Sequence, residues 1–519
     1  MTNPASLPSP ASGKTRIGFA LLLSLCCLLA AGKVILGDTL DPDSFWHMRV
    51  GSELSRQSWP APLIDDLSFA SIRQPWTPYS WLAEIAMKKL WDVGGFRAAI
   101  ACQAAIESAF VLLLGLCASE CSRSTRGQSR YLASALAAAI GTVLSLAYLS
   151  FRPVTAALTL LALIAWIVLR DRRLCQRSKL IWLTPFLTAL AINIHFFAFF
   201  VPALFAALAI GDFFDNRRAT TNAANRPRRN LLLLALTLIA CCFTPMLPGV
   251  VQSVWHYSAQ DVMVRSGSIA EFRPFYAGTI GHIVALFVAA LLIIAAWKLL
   301  RPSPGEAPFS AGIFLWLLGS TALLFAMGRM SPVYAIAAAP VFAALFPGLS
   351  DRLLSRAPII SALAIVVLLA AVQIARALPG PHESFSAWLN RHGPQAPSYP
   401  CAAADFVEQN ISPRTHHLLC DFTWGGFLEW RLGNRYQTLM DGRTQLFTAD
   451  SWQNTALGPP SRRQQFLSRL QADAAIVHTA PNPLADELTA LHWQTVYQDR
   501  FAKVMVKPPE PPAALSKTD

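Results

Sequence analysis

Asp41 and Asp43 stand two positions apart in the stretch Asp41-Pro42-Asp43-Ser44-Phe45-Trp46-His47, a few residues after the first apolar segment ends. A hydroxyl that is to attack an electrophilic carbon needs a carboxylate base near the working pH, and a second acid beside it can raise or steer that base. Pro42 stiffens the backbone between the two, and His47 adds a third polar group just behind them. Phe45 and Trp46 are expected at the level of lipid headgroups, where amphipathic rings settle. On spacing alone, a solvated acidic loop with a proline turn is the ordinary alternative.

Other polar residues stand where they could serve the same chemistry. Glu84 lies on an amphipathic stretch of the same first loop and is placed to face the cavity of Asp41 and Asp43, although a surface-helix acid would look the same. Asn193 and His195 mark the turn between two short apolar legs, as cavity-lining groups or as satisfied core residues. Arg152, Arg265, Arg273 and Arg329 flank apolar segments on one side of the membrane, with Glu271 two residues before Arg273. A guanidinium is the side chain best matched to phosphate oxygens, while snorkelling to headgroups is its commoner use. Glu107 falls at membrane depth, where a packing hydrogen bond to a neighbouring helix is the favoured reading.

The elements that must position these groups follow from composition. A chain of 519 residues that is 54% hydrophobic and 14% charged, with a mean hydropathy of +0.41, is too apolar for a soluble globule and reads as a multi-pass membrane protein. The net charge of +13 invites a nucleic-acid reading, which its location removes. The basic excess lies in short loops assigned to the cytoplasmic side and accounts for the whole net charge.

Residues 1–16 read as a disordered cytoplasmic tail and 17–378 as a membrane domain of about eleven spans, each near the length a bilayer needs. The first outer loop, 37–97, carries amphipathic helices at 44–56 and 79–92. An odd span count puts the N-terminus inside and the C-terminus outside, in agreement with the charge pattern. Residues 379–400 form a proline-rich linker, 401–508 a small extracytoplasmic α/β domain, and 509–519 a disordered tail. Within that domain helices are predicted at 402–410, 461–471 and 483–491, and strands near 416–422, 435–440, 474–478, 493–498 and 501–507. The stretches Cys420–Trp430 and Leu439–Phe447 stand out for glycine and aromatic content and read mainly as structural. Cys401 and Cys420 could pair if the domain lies outside the cytoplasm. No cysteine or histidine spacing resembles a zinc site.

The motifs DPDSFWHMRVGSEL, PLIDDLSFAS and PWTPYSWLAEIAMKKLWDVGG of the first loop resemble the bacterial C-type (GT-C superfamily) glycosyltransferase-like multi-pass membrane proteins. LAINIHFFAFF, IAEFRPF, FAMGRMSPVYAIAAAP, WGGFLEWRL and MDGRTQLF extend the resemblance from residue 38 to the end. It implies a periplasm-facing site in a bacterial inner membrane, with Asp41 or Asp43 as base and a polyprenyl-phosphate-sugar as donor. The acceptor would be an envelope glycan, lipid or protein. Arg329, Arg273 and His195 become the candidates to stabilise the departing lipid phosphate. The resemblance leaves open a divalent metal, Mg or Mn, between Asp41 and Asp43, and implies no other cofactor. A non-catalytic envelope scaffold or glycan-binding protein of the same architecture is the competing reading. A transporter is disfavoured because the chain shows no internal repeat.

Overall fold

A computed structural model of the protein describes residues 13–37, 40–56, 63–71, 75–122, 130–218, 225–256, 261–276, 278–301, 309–346, 349, 351–391 and 399–508. The expected tails, 1–12 and 509–519, lie outside the described residues, whereas 13–16 already belong to the first helix.

Apolar runs near bilayer length become helices because only a helix satisfies its own backbone in lipid. After α1 (Gly13–Gly32) the chain enters α2 (Pro42–Arg56), the short antiparallel pair β1 (Leu63–Ile64) and β2 (Pro75–Trp76), and then α3 (Trp81–Cys121). α3 joins the second amphipathic stretch to the following span and kinks at Gly95, whose φ of +59° suits a residue without Cβ. Then come α4 (Tyr131–Ser145), α5 (Pro153–Arg173), α6 (Thr184–Ile192), α7 (Phe200–Arg218), α8 (Asn225–Ala240) and the shorter α9 (Leu247–Trp255) and α10 (Val262–Ser266). The bundle closes with α11 (Gly278–Leu300), α12 (Ala311–Ala326), α13 (Ser331–Leu345) and α14 (Ala357–Ala377).

Among the described residues, eight helical segments are long and apolar enough to cross a membrane. The apolar segments Lys179–Ile192 and Ala311–Ala326 are shorter, as is α8. α13 is the central helix: Ala335, Ile336 and Ala337 are wholly buried, and Ala339 and Ala343 pack on Ala118, Ala133 and Ala137, small residues that let helices approach closely. Glu107 accepts from Gln103 Nε2 at 2.9 Å and sits 3.8 Å from Lys33, a packing role.

Beyond the bundle, α15 (Phe385–Arg391) lies within the predicted linker and leads to a mixed sheet. Its elements are α16 (Cys401–Asn410), β3 (His417–Cys420), α17 (Gly425–Leu432), β4 (Gln437–Thr438), α18 (Ala449–Asn454), α19 (Pro460–Arg469), β5 (Ala474–His478), α20 (Pro483–Ala490), β6 (Gln494–Gln498) and β7 (Ala502–Val506). The strand order is β4-β3-β5-β7-β6, with β3 parallel to both neighbours and β7 antiparallel to both of its own. Each predicted helix and strand of this region falls at its place. Cys401 and Cys420 are both free, because one opens α16 and the other ends a strand in the sheet's core.

The sheet does not stand apart from the membrane bundle. Phe45 and Met48 of α2 share one apolar core with Trp388, Tyr399, Leu418 and Phe427. The first loop also pairs with the sheet edge: Phe69 N–H donates to Thr438 O at 2.9 Å and Thr438 N–H to Leu67 O at 3.1 Å. Phe45 and Trp46 are therefore 0% and 5% exposed and lie in protein, where a headgroup position was expected. The reason is the docked domain, which offers Phe45 the rings of Tyr399 and Phe427 at centroid distances of 5.0 and 5.1 Å.

Candidate active site

The site begins with the start of α2. Pro42 has the fixed φ suited to the first helical position, and Asp41 before it takes the capping role, its Oδ1 accepting the Asp43 N–H at 2.9 Å. Asp43 is thus on the first turn of a helix rather than in a loop, held in one orientation. Trp46 Nε1 donates to its Oδ1 at 3.1 Å and Arg152 Nη1 to its Oδ2 at 3.0 Å.

Arg152 is the hub. It precedes Pro153 at the start of α5 and reaches Asp43, Asp41 (3.5 Å) and Glu271 (3.4 Å) at once, with 10% of its side chain exposed. Glu271 extends the chain of charge to Arg329, 3.2 Å away, whose guanidinium also lies over the Phe272 ring. These groups line a cavity of about 540 Å³ between the membrane bundle and the sheet domain. Its walls also include His47, His195, Tyr79, Phe422, Gly426 and Gly442.

The two glycines let the sheet domain close over the acids. A Cβ on Gly442 would overlap Oδ1 of Asp43 and come within 2.7 Å of Trp46 Nε1, and one on Gly426 would meet Pro42 O at 3.1 Å. The motifs containing them, read from sequence as structural, form the outer wall of the cavity.

Electrostatics separates the roles of the groups. Burial in the protein mass, reinforced by the Asp41 charge, pushes the Asp43 carboxyl up to about 6, even though Arg152 pulls the other way. Glu271 goes down despite its burial, because Arg329 and Arg152 flank it. The Arg152 guanidinium is held more firmly protonated by Asp41, Glu271 and Asp43, against the effect of its own burial. His47 and His195 are both pushed well below the usual imidazole value, first by burial and then by the nearby arginines. They are neutral near pH 7. His195 Nδ1 accepts the Phe197 N–H at 3.2 Å, which leaves the proton on Nε2 and makes that nitrogen a neutral donor.

The fit of a divalent ion between Asp41 and Asp43 turns on what their oxygens already do. Asp43 uses both for Trp46 and Arg152, Asp41 has one on the Asp43 N–H and the other facing Arg152, and the guanidinium lies where a bridging cation would sit. Among the described residues no group of three or more His, Cys, Asp or Glu side chains is placed to hold a metal ion. The pair as arranged does not fit such an ion, and no step below is routed through one.

No protein-family profile matches the chain, and no curated protein matches it in sequence. Solved structures do match in shape. The oligosaccharyltransferase of Archaeoglobus fulgidus, tethered to an acceptor peptide containing the NVT sequon, superposes with a TM-score of 0.51 at 12% identity, covering 89% of this chain and 69% of that one. The chain shares that enzyme's fold. The same archaeal enzyme, AglB, with an inhibitory peptide and a dolichol-phosphate gives 0.49 at 12% identity over 90% and 70% of the two chains. ArnT from Cupriavidus metallidurans bound to undecaprenyl phosphate gives 0.43 at 14% identity over 94% and 98%.

On this fold, Asp41, Asp43, His47, His195, Glu271 and Arg329 are brought to one cavity. Glu84, Asn193, Arg265 and Arg273 are not on its wall. Glu84 is one layer behind, its Oε1 2.9 Å from His47 Nδ1. Asn193 ties helices together, accepting from Trp81 Nε1 at 2.7 Å and donating to Ala189 O and Phe243 O. Arg273 turns outward, and its exposed Nε donates to Gly267 O at 2.6 Å. What sequence reading missed was the primacy of Arg152, one of four arginines beside spans with nothing local to single it out. Gly426 and Gly442 carried a signal in their motifs, but its target was hundreds of residues away.

Proposed function

We propose that the protein is a membrane glycosyltransferase that moves a sugar from a polyprenyl-phosphate-linked donor to a hydroxyl of an envelope glycan, lipid or protein. The observation that carries this reading is the convergence of Asp41, Asp43, Arg152, Glu271 and Arg329 on one cavity at the junction of bundle and sheet domain. The proposal includes eleven spans in a bacterial inner membrane, a cytoplasmic N-terminus and a periplasmic sheet domain, supported by the charge pattern of the loops.

Asp43 is the base. A carboxyl near 6 is ionised at neutral pH and still basic enough to accept a proton in the transition state, whereas an ordinary carboxylate is a poorer base. As the acceptor oxygen bonds to the anomeric carbon, its proton passes to Asp43. The bond from that carbon to the phosphate oxygen breaks through an oxocarbenium-like state, and its electron pair leaves with the lipid phosphate. That leaving group is a stable anion, its second pKa being about 6, so it needs positive charge more than a proton. Arg152 and Arg329, already held side by side by the Glu271 carboxylate, present the forked donors that suit phosphate oxygens. His195 adds a neutral donor beside them.

The test is sugar release from a labelled polyprenyl-phosphate-sugar pool by membranes carrying wild type, Asp41→Asn or Asp43→Asn at matched abundance. Asp43→Asn should lose roughly 10²–10⁴-fold of the turnover, the usual share of a general base. Equal release by all three, or none above empty membranes, would replace this reading with the non-catalytic scaffold.

A further inference from the structure

A second cavity, of about 290 Å³, lies in the sheet domain. It opens beyond the carboxyl ends of β3 and β4 and reaches the loop after β5, between Leu419–Phe422, Leu439–Met440 and Asn482–Leu484. The chain winds from β3 outward to β4 and then crosses back past β3 to β5, so the crevice is at the point where the winding reverses. In open α/β sheets that is where ligands sit. The volume is at the small end of the range for ligand pockets, enough for one ring-sized group.

Its chemistry is two-sided. The floor is apolar, from Leu419, Met440, Trp452 and Leu467. The rim carries Asp421, which accepts from Asn482 Nδ2 at 2.9 Å and from the His478 N–H at 3.1 Å, and Asn454, whose Oδ1 accepts from Arg462 Nε at 2.8 Å. Arg463 is also on the rim, but its guanidinium is forked onto Glu487 at 3.1 and 2.5 Å. Its charge is therefore matched, and with Asp421 the rim is net acidic. A phosphate or a uronate is disfavoured there. A neutral pyranose offers what the crevice wants: apolar C–H faces for the floor, and a ring of hydroxyls that both donate and accept for the rim.

The crevice also adjoins the larger cavity. Phe422 and Ala456 line both this cavity and the larger one that holds Asp43. We propose that the crevice binds one neutral pyranosyl residue of a glycan acceptor, and so feeds an adjoining hydroxyl toward Asp43. This rests on reading the larger cavity as the site of sugar transfer, and it narrows the acceptor class to a glycan.

The experiment uses the full chain in detergent micelles and ligand-observed NMR titration with methyl glycosides: a neutral hexose, a 6-deoxyhexose, an N-acetylhexosamine and a uronic acid. The expected result is saturable binding of at least one neutral glycoside and weaker binding of the uronate. Asn454→Trp and Leu484→Trp, each filling the crevice from a half-buried position, should weaken that binding by about tenfold or more. A melting curve for each variant establishes that it is folded. A diazirine-bearing methyl glycoside photolysed on the wild type supplies a readout without any variant, with label expected on the residues that line the crevice. Absence of saturable binding by every neutral glycoside, preference for the uronate, unchanged binding in both folded variants, or label elsewhere overturns the proposal. Binding here without any sugar release from the lipid donor would overturn the transfer reading instead, and release without binding here would do the reverse.

Discussion

Two arginines in this protein each face three carboxylates, and the fates of the two clusters differ. Arg152 meets Asp41, Asp43 and Glu271, with side-chain exposures of 22%, 29% and 22%, on the wall of a large cavity. Arg443 meets Asp65, Asp441 and Glu429, and all four side chains are 0% exposed. In the sealed cluster the ion pairs of Arg443 with Asp65 and Asp441 hold parts together. Asp65 comes from the first loop, and Asp441 and Glu429 come from the sheet domain, so the arginine is a rivet between them. Burial and the Asp441 charge push Glu429 well above the usual carboxylate range, and it accepts from the Thr438 hydroxyl at 2.6 Å. In the open cluster the same ratio of acids to arginine is left facing a space where a substrate fits. The count of ionisable groups does not distinguish a structural cluster from a reactive one; access does.

The comparison breaks most visibly at the rivet. Arg443→Met should leave buried acids without their cation, and the loss of one member of such a cluster costs about 3–5 kcal/mol. The expected outcome is failure to accumulate folded protein, read as protease sensitivity of the sheet domain and a lowered melting temperature. Arg152→Lys, at the open cluster, should accumulate normally, because water in the cavity can solvate what is left.

A pH series sharpens the same contrast from the other side. The Asp43 carboxyl is raised to about 6 in the folded state from an ordinary 3.8, so the folded protein binds more protons than the unfolded one between those values. The Asp43 contribution to stability should therefore fall as pH rises from about 4 to about 6 and then level off. Turnover should rise over the upper part of that window as the base ionises. In Asp43→Asn that contribution and the rising limb of activity should both be missing, and subtracting the variant's stability profile from the wild type's removes the slopes that the raised Glu84 and Glu429 keep in both. If the difference is flat between about pH 4 and 6, the base assignment fails.

Gly442 links the two clusters, since Asp441 and Arg443 on either side of it belong to the rivet while its own backbone lies on Asp43. Gly442→Ala should push Asp43 and Trp46 aside with the rivet intact. A displacement of that kind costs up to roughly 10²-fold in rate, and overpacking costs about 1–3 kcal/mol. The measurement is turnover against melting temperature, with a rate loss far larger than the stability loss implies.

Much of the architecture was legible because it is local. Span positions follow from apolar length, and the strands and helices of the C-terminal sheet follow from alternation and proline or glycine breaks. Asp41 and Asp43 were legible for the same reason, being an acid pair on a short stretch. The rest depends on partners distant in sequence. Phe45 and Trp46 were expected in headgroups because nothing in their neighbours announces Phe427 or Gly426, and the stretch holding Asp441, Gly442 and Arg443 read only as structural because its target, Asp65, is on the first loop. Arg152 and Arg273 were indistinguishable as arginines beside spans. Only the turn at Ser150–Arg152, where Arg152 Nε donates to Ser150 Oγ at 2.8 Å, aims one of them inward.

Arg273 is accordingly the control for the whole comparison. It is two residues from Glu271, carries the same charge as Arg152 and Arg329, and by sequence was an equal candidate for the phosphate. Its side chain is spent on the Gly267 carbonyl at the surface, outside the cavity wall. Arg273→Ala should change stability by no more than about 0.5 kcal/mol, the usual range for a surface substitution, and turnover by no more than about twofold. Arg329→Ala, by contrast, removes a guanidinium that Glu271 holds at the cavity and should cost turnover heavily. If the two variants lose activity alike, what matters is the net positive charge of the outer loop steering an anionic substrate, and the loss should then vanish at high salt. If only Arg329→Ala fails, and salt does not rescue it, the cation acts by contact at the site.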